Sequence, residues 1–146
     1  MIGDVHANLP ALEVVVTHAR SQGVDAIWNT GDFVGYGAFP DSVVRRLWHE
    51  NSLSILGNYD LKVLKFKNKH QKWRKSKHPL KVQAFGWAYE QLTKKSRRYL
   101  RSLPREVRFE PGGKRVLLTH GSPVSNEEPL TPNTPDVRLS AVSYTH

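Results

Sequence analysis

The strongest constraint on the fold is a regular exchange between two periodicities: short continuous apolar runs, and longer stretches whose apolar residues return at helical spacing. Ala26-Ile27-Trp28, Leu53 to Leu56 and Arg115 to Thr119 are of the first kind, each bounded by turn-forming residues as buried strands are. Leu12, Val15, Val16 and Ala19 are of the second kind, following Asn8 as an N-cap with Pro10 in the first turn and ending at Gly23. Two more helical stripes are Val43, Val44, Leu47 and Trp48 after Pro40-Asp41, and Val82, Phe85, Tyr89 and Leu92. Thr93 can cap another, carrying Tyr99, Leu100 and Leu103 until Pro104 stops it. Val107 and Phe109 alternate with charges up to Pro111-Gly112-Gly113, so they predict a hairpin with the Arg115 strand, and Pro123 to Pro135 reads as irregular chain. Strands separated by helices, then a hairpin, predict an α/β sheet protein.

At 146 residues the chain is sized for a single domain spanning 1–146. Its aromatic residues argue against disorder, and no apolar run approaches the ~18 residues of a membrane helix. It has no cysteine, which excludes disulfides and thiolate metal sites, so any metal must be held by nitrogen and oxygen. With no secretory leader visible, this points to the cytoplasm.

The formal charge is +9, and its placement is uneven. Lys62, Lys65, Lys67, Lys69, Lys72, Arg74, Lys75, Lys77 and Lys81 follow one another with no acid between Asp60 and Glu90, and Phe66 and Trp73 lie among them. Such a block, about residues 62–81, can act as a lid that attracts a phosphorylated substrate, with Lys69, Lys72 and Arg74 as contacts, or can track a nucleic-acid backbone. The competing reading is a solvated, partly mobile insertion.

Polar residues suited to metal or phosphate follow each early apolar run: Asp32 after the Ile27 strand, Asn58 after the Leu53 strand and His120 after the Val116 strand, with Asp4 and His6 at the start. In an open α/β sheet the crevice lies outside the carboxyl ends of the strands, so these distant residues can converge. Asp4 and His6 differ by two and would point to one side of an extended chain, and the two oxygens of Asp32 could bridge two cations. Gly3, Gly31 and Gly57 precede these residues, while Gly35 and Gly37 around Tyr36 would hold the next loop low over a site. Each such pair taken alone is commonly only a turn, and a lone histidine is commonly structural.

Together, Gly3-Asp4-Val5-His6, Gly31-Asp32-Phe33-Val34-Gly35-Tyr36-Gly37, Gly57-Asn58-Tyr59-Asp60 and Thr119-His120-Gly121-Ser122-Pro123 resemble the ordered motifs of calcineurin-like metallophosphoesterases, in their small bacterial phosphodiesterase branch. The resemblance implies a four-layer α/β/β/α sandwich with a dinuclear centre of two divalent ions (Mn, Fe, Ni, Zn or Co). Asp4 and His6 would bind the first ion, Asp32 would bridge, and Asn58 and His120 would bind the second, with Asn58 also holding the phosphate. Two cations ~3.5–4 Å apart can clamp a phosphate ester and generate hydroxide near neutral pH, so no protein nucleophile is needed. The substrate would be a phosphorylated small molecule or nucleotide.

Three departures qualify the resemblance. Only Met1 and Ile2 precede Gly3 where the family has a full strand, so the sandwich is expected to be incomplete at its N-terminal first strand and its C-terminal strands. Tyr59 stands where many relatives carry the histidine that protonates the leaving group; a phenol of pKa ~10 is a poorer acid near neutrality. Asp60, which would orient that histidine, is then a catalytic partner or a structural one. Finally, the family's last Gly-His-x-His motif is either missing by truncation or replaced by Ser143-Tyr144-Thr145-His146, which would make His146 a first-metal ligand. The residues after Asp136 look too few for the helix that usually precedes it. Two functions follow: a metal-dependent phosphoesterase, or a weak or inactive remnant that binds nucleic acid or phosphate through its cations.

Overall fold

Local signals set the helices. In a computed structural model, which describes the backbone of residues 1–144, the Asn8 side chain accepts the Ala11 N–H at 3.2 Å and starts α1, Leu9–Ser21. Pro40 opens α2, Pro40–His49, which buries Val43, Val44 and Leu47. Pro79 opens α5, Pro79–Gln91, and the Thr93 hydroxyl accepts the Ser96 N–H at 3.1 Å to start α6, Lys94–Ser102. Between them lie α3, Asn58–Leu64, and α4, Phe66–Ser76.

The strands are short. β1, Trp28–Asn29, pairs in parallel with β2, Leu53–Ser54, and Ile2 forms a parallel bridge to Asn29 on the other side. The segment before Asp4 therefore does part of a strand's work: Ile2 donates to Trp28 O at 2.8 Å and accepts from Thr30 N at 2.9 Å. α1 and α2 are the crossovers that parallel pairing requires. β3, Glu106–Phe109, and β4, Val116–Thr119, form the expected antiparallel hairpin, with Glu106 opposite Thr119. Trp28 meets Phe109 edge-on at 4.7 Å, linking the two ladders. This is the α/β class the sequence predicts, and Pro123 to Pro135 is irregular chain ahead of α7, Asp136–Tyr144.

One core serves the helices. Leu12, Val16, Ile27, Phe33, Val43, Val44, Leu47, Phe85 and Leu100 cluster with almost no exposure, each large side chain contributing about 1.5–3 kcal/mol of burial. Trp48 of α2 stacks on Tyr99 of α6, ring centroids 4.8 Å apart.

One expectation is corrected here. The residues after Asp136 do suffice for a helix, and Ser143 and Tyr144 belong to it rather than to a final strand; His146 lies outside the described residues. The basic block is largely helical. Most of it is α4, anchored because Phe66 and Trp73, two turns apart, share the face turned to the core.

Candidate metal centre

The ends of the parallel strands are drawn together by backbone pairing. Asp4 N donates to Gly31 O at 3.1 Å, His6 N to Asp32 O at 2.9 Å and Ala7 N to Phe33 O at 2.7 Å. Asp4 and His6 are not an extended pair on one side of a strand, as their spacing suggests. Their φ values are +52° and +46°, and Asp32 has +55°. Side chains rarely adopt this region because it crowds Cβ, and such strain concentrates at functional sites. The turn does what alternation would not: Asp4, His6 and Asp32 offer ligand atoms all within 4.8 Å of one another.

Asp32 is the hub. It is 2% exposed, and its Oδ2 lies 3.7 Å from His6 Nε2 and 3.6 Å from His120 Nε2. Its Oδ1 accepts the Tyr59 N–H at 2.8 Å, so a single oxygen, rather than two, faces both imidazoles. This approach depends on Gly31 and Gly57. A Cβ on Gly57 would strike Asp32 Oδ1 and its backbone nitrogen, and a Cβ on Gly31, whose φ is +96°, would strike Gly57.

Both imidazoles are held in one orientation. His6 Nδ1 lies 3.2 Å from Val34 O and His120 Nδ1 2.8 Å from Thr30 O, geometry that makes each Nδ1–H a donor and leaves the Nε2 lone pair aimed at Asp32. Two lone pairs and a carboxylate oxygen facing one another repel unless an electron-pair acceptor lies among them. The donor set therefore fits divalent cations, with the Val34 and Thr30 carbonyls already holding the imidazoles. Burial pushes the Asp32 carboxyl upward, against the lowering pull of the Tyr59 amide and the two imidazoles.

Asn58 begins α3 beside this cluster, where its Oδ1 accepts from Lys62 Nζ at 3.3 Å. The rings of His6, Tyr36 and Tyr59 form a triangle with centroids 5.0 Å apart, and the two phenol oxygens are in contact. Gly35 and Gly37 lay this loop down: Gly37 N donates to His6 O at 2.7 Å, and a Cβ on Gly35 would come within 2.8 Å of the Tyr59 ring. Asp4, His6, Asp32, Tyr36, Asn58, Tyr59 and His120 thus line one cavity of about 570 Å³.

Other candidates lie elsewhere. Asp60 is fully buried, is not part of this cavity's lining, and accepts from Val34 N at 3.1 Å and Gly57 N at 3.0 Å, so its place is beneath the site. Burial and the neighbouring Asp32 push its carboxyl up to about 7. Lys69 and Lys72 line an adjoining cavity, whereas Arg74 lines neither. Sequence reasoning missed Asn126 and Glu127, which line both cavities. Asn126 Nδ2 donates to Leu56 O at 3.1 Å while its Oδ1 is buried without a hydrogen-bond partner. The available signal was acidic residues just past His120 in a strongly basic chain.

Strand-end carboxylates and imidazoles around this cavity define a candidate centre of the metal-binding class. The chain belongs to the calcineurin-like phosphoesterase family, whose sequence pattern matches residues 1–141. It is similar to a metallophosphoesterase from Sphaerobacter thermophilus at 32% identity, with a TM-score of 0.71 over 99% of this chain and 54% of that one. It is 33% identical over 128 residues to the uncharacterized protein MJ0912 of Methanocaldococcus jannaschii, covering 84% of this chain and 49% of the relative. The hypothetical protein PH1004 from Pyrococcus horikoshii OT3 shares the fold, with a TM-score of 0.79 at 21% identity over 99% of this chain and 65% of that one. The chain thus spans about half the length of the curated relative it matches.

Proposed function

We propose that residues 1–146 act as one metal-dependent phosphoesterase domain that hydrolyses an ester of a phosphorylated small molecule or nucleotide. The observation that carries this reading is the convergence of two oriented imidazoles on the buried Asp32 Oδ2. Asp4 and His6 would hold one cation, Asn58 and His120 a second, and Asp32 would serve both. Two divalent cations in this donor set would supply the Lewis acidity that polarises phosphoryl oxygens and makes water nucleophilic near neutral pH. Asn58 can also donate its amide N–H to a phosphate oxygen. Tyr59, with Tyr36 against it, can donate a hydrogen bond to the leaving oxygen. Asp60 positions the machinery by tying the Val34 and Gly57 amides together.

The cationic stretch 62–81 acts in this reading as a wall drawing anions to the site. Among the described residues no helix is long and apolar enough to cross a membrane, and the cysteine-free composition suits a cytoplasmic setting. A nucleic-acid-binding remnant is the less favoured reading, because nucleic-acid binding by surface cations would not need His6 and His120 turned onto a buried carboxylate.

The test is hydrolysis of mono- and bis-p-nitrophenyl phosphate by the purified chain, with Mn²⁺, Co²⁺, Ni²⁺ or Zn²⁺ added in turn. Activity should require metal and vanish in Asp32→Ala. Activity that survives both chelation and this substitution would remove the proposal.

A further inference from the structure

A second cavity of about 540 Å³ lies against the first, and Asn58, Asn126 and Glu127 line both. Its cations are not scattered. Lys62, Lys65, Lys69 and Lys72 are spaced by three, four and three residues across the junction of α3 and α4, where Lys65 keeps near-helical dihedrals (φ −89°, ψ 1°), so they fall on one face. Lys77 and Arg105 complete the lining, with Trp73.

Acidic compensation is sparse. Lys62 Nζ lies 3.0 Å from Glu127 Oε1 and 3.3 Å from Asn58 Oδ1, on the wall between the cavities. Among the described residues, Lys65, Lys69, Lys72 and Arg105 make no ion pair within 4.0 Å. Like charges at i,i+4 destabilise a helix, and these solvent-exposed lysines line the wall of one cavity. A multiply charged anion offsets that repulsion; a singly charged one does so poorly.

We propose that this groove is a second anion site, binding the phosphates adjacent to the scissile one in a substrate that carries a linear polyphosphate arm. The inference rests on the phosphoesterase reading of the neighbouring cavity for its place in the reaction, but binding in the groove itself requires no metal. The groove favours a short arm over a nucleic-acid strand for two reasons. Its volume of about 540 Å³ suits a few phosphates, with Val124, Ser125 and Asn126 in its lining, and the nearby cations Lys67, Arg74 and Lys75, which a longer backbone would need, lie outside it. Lys62, 3.3 Å from the Asn58 side chain that lines both cavities, stands on the groove's side of the passage between them.

The experiment is calorimetric titration of the full chain, without added metal and at fixed ionic strength, with tripolyphosphate, orthophosphate and a twelve-nucleotide oligothymidylate. Tripolyphosphate should bind one per chain and about tenfold or more tighter than orthophosphate, and Lys69→Gln with Lys72→Gln should weaken it about tenfold or more. Circular dichroism checks that this exposed double variant is folded, and it should keep the thermal shift that Mn²⁺ gives the parent chain. Equal affinity for the two phosphates, or indifference to the double variant, would overturn the proposal. So would oligothymidylate binding more tightly than tripolyphosphate through the same lysines, which would assign the groove to nucleic acid. Absence of any Mn²⁺ shift in the parent chain, with tripolyphosphate binding intact, would count against the phosphoesterase reading and leave the anion site standing.

Discussion

Replacing Asp32 by Asn should change the sign of its effect on stability when metal is added. Without metal, the Asp32 carboxylate is buried, and its Oδ2 faces two imidazole lone pairs at 3.6 and 3.7 Å. An asparagine keeps the acceptor for Tyr59 N–H and turns an NH₂ toward those lone pairs. It also removes a buried charge. Each hydrogen bond gained is worth about 0.5–1.5 kcal/mol, so the metal-free variant should melt a few degrees higher than the parent. With metal the order reverses. A cation at a hundred times its dissociation constant stabilises the parent by about 2.7 kcal/mol, or roughly 5–11 °C for a domain of this size. The variant lacks the anionic oxygen between the histidines and should lose nearly all of that gain. Differential scanning calorimetry with and without Mn²⁺ reads both arms. A variant that retains the parent's metal shift, or is less stable than the parent without metal, would refute the argument that Oδ2 is turned toward a cation.

Three further outcomes are expected. Tyr59→His should accelerate hydrolysis of alkyl phosphate esters about a hundredfold and add a pH–rate limb near 6.5, while barely changing p-nitrophenyl esters, whose leaving group needs no proton; steady-state pH profiles check this. Leu47, fully buried in α2, should cost about 3 kcal/mol and roughly 6–12 °C of melting temperature as Leu47→Ala. Arg46 and Arg20 hold the Glu50 carboxyl below its usual range. A depressed acid stabilises above its unfolded pKa of about 4.5 and loses that contribution as pH falls through the folded value. Melting temperature should accordingly drop below about pH 4.5, and less steeply in Glu50→Gln.

The sequence was informative where a residue's neighbours in the chain determine its structure. Asn8, Pro40 and Thr93 begin their helices as capping chemistry requires, and the hairpin closes at Pro111-Gly112-Gly113. Asp32 and His120 could be placed at strand ends because apolar runs stop just before them. What remained hidden depends on backbone rotation or on partners remote in sequence. No spacing rule reports that Asp4 and His6 adopt left-handed dihedrals, or that Asp60 turns back to accept the amide of Gly57, the cap of α3. The cationic block showed no helical stripe in the sequence because its charges outnumber its apolar residues. Only the seating of Phe66 and Trp73 on the core shows which lysines share a face.

The left-handed backbone at Asp4, His6 and Asp32 makes these positions unusual targets for mutation. Glycine and asparagine are more at ease there than the resident side chains. A library of this chain selected only for heat resistance without metal should therefore drift toward those two residues at the three positions. Its hardiest survivors would be the ones that had given up their chemistry.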